Sequence, residues 1–591
     1  MLNVKYSEMI EANRRWQAAE GQRPYSVSIL SNVVMNPFKD VIEYALRQSG
    51  IPAVAAFGEY DNIVQDSGRM ANADAVVVFW EMFPFYEKLM SLEDGNNSEE
   101  ITVFVEDFKK NIDMVLGILK AVPLVLMNSF SALCMNEQSI RGGVPGQVCR
   151  ELNEHLRANV SGNVVVIDID KIMATVSVRK CIDWRGWYTS RLLYTLDFYK
   201  QYMTFVLPAV CSAAGMAKKA LVLDCDNTLW GGTVGEDGLD ALQISKESFS
   251  GAIFHDVQRM LLALSKKGVL LTICSKNESM DVEAVFRDHP DMVLRPDNIV
   301  AKKVDWANKI DNIRLIAQEL NISLDSMVFV DDSEFEVNLV RQLLPEVVAF
   351  QVPSVLYDYP GMIREVSRLF FNLSVSKEDA SRALMYANQA KRVGDQGRFS
   401  DMTAHLHSLD LKIKVFRNAL NLAPRMAQLT QKTNQFNLTT RRYTQQDISR
   451  FLDSPGYELF AVQVMDKYGD YGVTGLMILK VDGSTKQAEV DTFLLSCRVL
   501  GRSVEQVFFN VAMDYLNRQG ITSLSASYRQ TLKNKQVEGL YERLGFSVTE
   551  SGPKAKSYVI KVSDYKPQIV SYIGVEYGRT DKEDDGHGTG D

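Results

Sequence analysis

The segment Leu221-Val222-Leu223-Asp224-Cys225-Asp226-Asn227-Thr228 limits this chain more than any other, because an apolar run stops abruptly at two aspartates. A short apolar run bounded by turn-forming residues reads as a buried strand. Side chains along a strand alternate, so Asp224 and Asp226 face one pocket while Cys225 turns away into the packing. In open α/β sheets the chemistry lies beyond the carboxyl ends of the strands, which is where this pair falls. Two carboxylates so close repel each other. A divalent cation that prefers oxygen ligands, Mg²⁺, relieves the repulsion and neutralises phosphate charge. One carboxylate can then attack phosphorus and the other can move a proton.

Three further segments, in order, supply what such a site needs. Strand Val269–Cys274 ends in Ser275-Lys276-Asn277, which with Thr228 offers hydroxyls, an amine and amides to phosphate oxygens. Lys309 opens the helix Lys309–Leu320 and brings a fixed positive charge. Strand Met327–Val330 ends in Asp331-Asp332, further oxygen ligands for a metal shared with Asp224 and Asp226. This ordered set resembles the haloacid-dehalogenase (HAD) superfamily. The resemblance implies that Asp224 is the nucleophile and Asp226 the general acid/base. It matches Ser275 to the second motif, Lys309 to the third, and Asp331 with Asp332 to the fourth. Lys309 fits the third motif better than Lys302 or Lys303 because it begins the helix before the last strand. The glycine-rich flap Leu229-Trp230-Gly231-Gly232-Thr233-Val234-Gly235-Glu236-Asp237-Gly238 is similar to the FkbH-like branch of that superfamily. About fifty residues separate Asp226 from Ser275, leaving little room for a large cap.

With 591 residues the chain is long enough for three or four domains. Alternating strands and helices predict a parallel α/β domain over 1–212, with strands at Tyr25–Leu30, Ala73–Trp80, Pro123–Met127 and Val164–Ile169 and a helix at Pro37–Gly50. The HAD-like parallel sheet fills 216–375, and a polar helical stretch, Lys377–Arg392, follows it. Residues 395–565 change grammar. Strands Tyr457–Asp466, Gly472–Val481, Ala488–Leu495 and Ser523–Ser527 mix with helices Pro424–Gln431, Ser503–Asn517 and Gln536–Leu544, an antiparallel α+β pattern. Residues 566–591 read as a tail, partly disordered, with a charged, glycine-rich end at Thr580–Asp591.

In that third domain, Arg498, Gly501 and Ser503 form a strand-to-helix turn suited to an anion. The turn resembles the pyrophosphate loop of GNAT acyltransferases, and Asn534 with Leu540-Tyr541-Glu542-Arg543-Leu544-Gly545-Phe546 resembles their closing helix and strand. The resemblance implies a coenzyme A or pantetheine groove, with Asn534 on the cofactor arm and Tyr541 protonating a leaving thiolate. Cys497, beside Arg498 and near a helix start, has the setting of an acyl-carrying nucleophile, or of a small residue filling space. Thr430-Gln431-Lys432-Thr433-Asn434-Gln435-Phe436-Asn437 also matches the FkbH-like pattern, as an acyl-pocket lining or an ordinary loop.

The first domain looks like an SGNH/flavodoxin-like scaffold, with Ser28, Ser31 and Asn32 around the end of the first strand and Asn128-Ser129 ending another. The expected DxxH partner is missing, and near Asp183-Trp184-Arg185-Gly186-Trp187 no histidine stands ready as a base. A serine without its base has little to activate it, so a non-catalytic docking role is expected.

The FkbH-like resemblance implies an enzyme that dephosphorylates 1,3-bisphosphoglycerate and loads the glyceryl group on the phosphopantetheine thiol of an acyl carrier protein. The product would serve polyketide or related biosynthesis. The rival reading is a HAD phosphatase joined to a coenzyme A-dependent GNAT acyltransferase acting on a small amine or amino sugar. A net charge of −9 without long Lys/Arg runs argues against a nucleic-acid partner. The apolar stretches are too short for a membrane span, and the first residues lack a signal-peptide pattern. The seven scattered cysteines form no CxxC pair, so a cytoplasmic protein with free thiols is expected.

Overall fold

The computed structural model describes residues 4–17, 23–94, 98–135, 143–371, 406–496, 499–531 and 533–578. The expected helix Lys377–Arg392 and the end Thr580–Asp591 lie outside them. The chain forms two compact units, the first ending at Ala214 and the second beginning at Gly215. It is a multidomain α/β protein.

The first unit is built on β1 (Tyr25–Ser31), β2 (Ala53–Phe57), β3 (Ala75–Phe79), β4 (Val125–Asn128) and β5 (Val164–Ile167). All pair in parallel, in the order β2-β1-β3-β4-β5. β3 is buried at every position, as its unbroken Ala-Val-Val-Val-Phe run requires of a strand covered on both faces. Helix Asn36–Gln48 starts with a proline in its first turn and buries Phe38, Val41, Ile42, Ala45 and Leu46 along one stripe.

The second unit opens with a parallel sheet of β6 (Ala220–Leu223), β7 (Leu270–Ser275), β8 (Ile299–Val304), β9 (Met327–Asp331) and β10 (Val348–Gln351). Its order is β10-β9-β6-β7-β8, so the strand order reverses between β6 and β9. Alternation along β6 splits its side chains between two cores: Leu221 and Leu223 join the cluster that holds Trp230, while Ala220 and Val222 join the opposite one. Cys225 falls in the first cluster, away from the acidic pair as expected.

A third sheet contains β11 (Leu411–Arg417), β12 (Phe436–Asn437), β13 (Tyr457–Asp466), β14 (Gly469–Asp482), β15 (Gln487–Leu495), β16 (Ser523–Arg529), β17 (Ser547–Ser551), β18 (Ala555–Lys561) and β19 (Ile573–Tyr577). The order is β17-β18-β16-β15-β14-β13-β11-β19, with β12 paired to β15. Only β15–β16 and β11–β19 run parallel. Helix Val504–Arg518 makes the crossover between β15 and β16. β19 lies within the stretch read as a tail; it zips onto β11 from Leu411↔Ile573 to Val415↔Tyr577. The helix expected over Gln536–Leu544 is instead a single 3₁₀ turn, Lys535–Val537, and a short helix, Leu540–Arg543. Among the described residues no helix is long and apolar enough to cross a membrane.

Candidate active site

The acidic centre forms where the strand order of the second unit's first sheet reverses. Asp224 follows β6 and Asp331 closes the adjacent β9, so the topology places both at the switch point. Carboxylate oxygens of Asp224, Asp331 and Asp332 lie within 4.8 Å of one another. Lys309 is buried between two of them, with Nζ 2.9 Å from Asp224 Oδ1 and 2.6 Å from Asp331 Oδ2. Asn308 positions it by capping the helix Lys309–Glu319 through a 3.0 Å bond from the Ile310 amide. Burial would lower the lysine pKa, but Asp224 and Asp331 raise it above its ordinary value. Burial, then the Asp224 charge, push the Asp331 carboxyl up to about 6; the same two causes raise Asp332.

These residues fit a divalent cation. The donors are all oxygen, and one ammonium faces three carboxylates. Asp224 Oδ1 is buried, and the Lys309 ammonium at 2.9 Å is its close contact.

Asp226 does not join this cluster, which corrects its expected place among the metal ligands. Its Oδ1 accepts from Trp230 Nε1 (2.9 Å) and the Val234 amide (3.1 Å), and its Oδ2 accepts from Asn277 Nδ2 (3.0 Å). Three donors hold that carboxylate on the flap side. The turn that follows the two aspartates needs Asn227 at φ 51°, a conformation asparagine tolerates, and the Asn227 side chain accepts from the Gly232 amide at 3.1 Å. Gly232 itself has φ +100°, so the flap's turn requires a glycine there. Trp230 was legible as an oddity of the flap; its bond to Asp226 has no local signal beyond a spacing of four residues.

Ser275 ends β7 and is buried, and its Oγ accepts from Asn277 Nδ2 at 3.2 Å. Asn277 therefore bridges Asp226 and Ser275 and orients both. Thr228 Oγ1 is buried with no hydrogen-bond partner, as a hydroxyl kept for a ligand oxygen would be. Lys276 departs from its expected phosphate role. Its Nζ pairs with Glu336 Oε1 at 2.6 Å and ties the end of β7 to the helix Glu334–Leu343. Lys302 and Lys303 pair with Glu283 and Glu319, outside the cluster.

In the third sheet β15 and β16 pair only over Gln487–Val490 with Ser523–Ala526, then separate. The gap is filled by this chain's own Phe436–Thr439. Phe436 and Asn437 pair with Leu495 and Leu494, the Leu438 amide donates to Phe493 O, and the Arg529 amide donates to Leu438 O at 2.8 Å. Asn534 closes the arrangement: it is fully buried, its Nδ2 donates to Asn437 O and Arg529 O (both 2.9 Å), and its Oδ1 accepts from the Thr531 amide (2.7 Å). This corrects the expectation that Asn534 faces a pantetheine arm; its polar atoms are used up in holding the plug.

Tyr541 is also fully buried, its hydroxyl has no hydrogen-bond partner, and burial raises its pKa, so it does not face a thiolate in this conformation. Gly501 and Ser503 both take positive φ ahead of helix Val504–Arg518, with the Ser503 Oγ 3.0 Å from the Tyr572 hydroxyl. Cys497 and Arg498 lie outside the described residues.

In the first unit Ser31 Oγ is engaged locally, donating to Val33 O at 2.9 Å. Asn32 exchanges two bonds with the Glu81 backbone, Asn128 two with Trp80, and Ser129 Oγ accepts from the Ile169 amide. These polar groups fasten loops to strand ends.

No protein-family model and no curated protein matches the sequence. Solved structures do match. The crystal structure of the N-terminal part of the protein BF1531 from Bacteroides fragilis, containing a phosphatase domain complexed with Mg, is similar over all of its chain and 63% of this one, with 24% identity and a TM-score of 0.55. That likeness is one of fold. Mutant forms of the spermidine/spermine N-acetyltransferase SpeG from Vibrio cholerae match 26% of this chain and 95% of their own, with 15% identity and a TM-score of 0.21. The ribosomal-protein-S18-alanine N-acetyltransferase from Escherichia coli matches 26% and 92%, with 14% identity and a TM-score of 0.19.

Proposed function

We propose that the chain is a Mg²⁺-dependent phosphoryl-transfer enzyme of the HAD type coupled to acyl transfer. In this reading it dephosphorylates 1,3-bisphosphoglycerate and loads the glyceryl group, as a thioester, on the phosphopantetheine thiol of an acyl carrier protein. The observation that carries the phosphoryl half is the segregation of the acids. Asp224, Asp331 and Asp332 converge on one point with Lys309, while Asp226 is held apart by Trp230 and Asn277. The fold shared with a Mg-complexed phosphatase domain agrees with it.

Asp224, Asp331 and Asp332 would hold Mg²⁺, which neutralises charge on the transferring phosphoryl group. The Asp224 carboxylate attacks phosphorus and forms an aspartyl-phosphate as the bond to the leaving oxygen breaks. Asp226 delivers the proton to that oxygen and takes one back from the hydrolytic water. Lys309 fixes the nucleophile, and the Thr228 and Ser275 hydroxyls receive phosphoryl oxygens. The acyl half rests on the parallel β15–β16 pair, its crossover helix and the turn at Gly501–Ser503. Entry of a thiol between those strands requires Phe436–Thr439 to withdraw.

Intact-protein mass spectrometry with Mg²⁺, a 1,3-bisphosphoglycerate-generating system and a panel of pantetheinylated carriers tests this. A glyceryl adduct on a carrier, lost with Asp224→Asn, is expected. Phosphate release without any carrier adduct would overturn the acyl half. No Mg²⁺-dependent phosphate release from any phosphate ester or acyl phosphate would overturn the reading altogether.

A further inference from the structure

Residues 178–191 of the first unit are cationic in an acidic chain. They carry Arg179, Lys180, Arg185 and Arg191 against one carboxylate, Asp183, in a protein of net charge −9. That carboxylate is engaged, its Oδ1 accepting from the Gly186 amide at 2.8 Å. The four cations are exposed, and among the described residues none forms an ion pair.

The segment lies at the carboxyl edge of the β1–β5 sheet. The Val34 amide, just past β1, donates to Arg191 O at 3.1 Å. Phe83, just past β3, packs on Trp184 at 5.4 Å and Trp187 at 5.0 Å between ring centroids. The base of a DxxH pattern would stand three residues after Asp183, at Gly186. A side chain there would meet Leu192 O at 2.7 Å, so the edge has no room for that base. What it presents instead is a surface. Along helix Trp184–Ser190 and its cap, Trp184, Trp187, Tyr188 and Arg191 recur three and four residues apart, on one stripe. Trp187 is buried and anchors the stripe, while Trp184 is 40% and Tyr188 80% exposed. The Arg191 guanidinium lies 4.8 Å over the Trp187 ring. Solvent-facing aromatics beside arginines without a counter-ion are the composition of an interface centre.

The border is acidic. Burial, then Asp61, push the Tyr60 hydroxyl up and Arg191 draws it down, which sets Asp61 close to the arginine. Glu87 follows Tyr86, whose ring stacks on Phe83 at 5.7 Å. Both acids are exposed. A nucleic-acid backbone or an anionic bilayer would meet these carboxylates together with the arginines. A folded protein surface can set its own carboxylates opposite the arginines alone. We propose that this face docks an acidic protein surface, with carboxylates on Arg185 and Arg191 and apolar side chains on Trp184 and Tyr188. The proposal stands apart from the chemistry assigned to the second unit.

Fluorescence anisotropy with the full-length protein tests this. The probes are a labelled amphipathic helical peptide of leucine and glutamate, its leucine and lysine counterpart, oligothymidylate, and phosphatidylglycerol vesicles. Saturable binding of the glutamate peptide is expected, weakened about tenfold by Tyr188→Ala, as loss of a central interface aromatic does. Arg185→Glu should weaken it about fivefold and should gain affinity for the lysine peptide. Both side chains are exposed, and circular dichroism checks that the variants fold. No saturable binding of the glutamate peptide, equal binding of the lysine peptide, or affinity indifferent to both substitutions would overturn the proposal. Tighter binding of oligothymidylate or of the vesicles, with the same dependence on Arg185, would overturn it too, because the face would then take a polyanion.

Discussion

Lys309 stands between Asp224 and Asp331, and Trp230 with Asn277 holds Asp226 to one side, so four acids near one sheet edge have unlike duties. Asp332→Asn should raise the Mg²⁺ concentration needed for half-maximal phosphatase activity by about tenfold, as loss of one ligand does. Asp226→Asn should leave that concentration unchanged and lower turnover by about 10²–10⁴-fold, the usual worth of a positioned acid. Mg²⁺ titrations of phosphate release separate the two; equal shifts in metal requirement would count against the assignment.

A second residue-scale prediction concerns Glu81, buried in the first unit. Burial pushes its carboxyl up to about 7, against hydrogen bonds from the Tyr194 hydroxyl and the Phe83 and Met82 amides. The folded unit therefore holds a proton between roughly pH 4.5 and 7 that the unfolded chain has released. A raised carboxyl stabilises at low pH, and the contribution fades as pH rises through that window, by roughly 3 kcal/mol at most. Chemical denaturation across the window should show this decline, and Glu81→Gln should flatten it.

At the scale of elements, the plug Phe436–Thr439 decides what the third sheet can do. Its hold depends on Asn534, so Asn534→Ala should cost about 1–3 kcal/mol by stranding two carbonyls and an amide. It should also speed hydrogen exchange at the Leu438 and Arg529 amides. Unchanged exchange there would show that the plug holds without Asn534.

The same elements mark how far the sequence could be read. β6, β7 and β9 were legible because each is an apolar run that ends in chemically distinctive residues, and their edge carries most of the site. β8 and β10 were not, since they are edge strands with mixed burial and charged or polar positions. β12 has two residues and β19 pairs with a strand far away in sequence, so neither leaves a local periodicity. Asn534 fits the closing-helix pattern of a cofactor site, yet its partner Asn437 is 97 positions distant, and only the folded chain brings them together.

Within the second unit, the third sheet is fastened to the amino-terminal edge of the β6–β10 sheet. Lys533 Nζ meets Asp325 Oδ2 at 2.6 Å just before β9, and Asn434 Nδ2 donates to Gly215 O at 2.9 Å just before β6. Against burial, Lys533 holds the Asp325 carboxyl below its ordinary range. The ion pair is partly exposed, so Lys533→Glu alone should cost no more than about 1 kcal/mol. Combined with Asn434→Ala it should loosen the contact, seen as faster hydrogen exchange over residues 215–219, with phosphate release unaltered. A parallel fall in phosphate release would mean that the fastening shapes the acidic centre.

The fastening has a kinetic consequence. Asp325 precedes β9 and Asp331 ends it, so the fastening and the acidic centre lie at opposite ends of one strand. A substrate that loses phosphate at one place and gives up its glyceryl group at the other would have to pass between them. Released as a free molecule, it would mix with the bulk and could be intercepted by any competing nucleophile. Carried on a flexible tether, it would return at millimolar effective concentration and leak little. Adding a scavenging thiol during turnover distinguishes leakage from delivery.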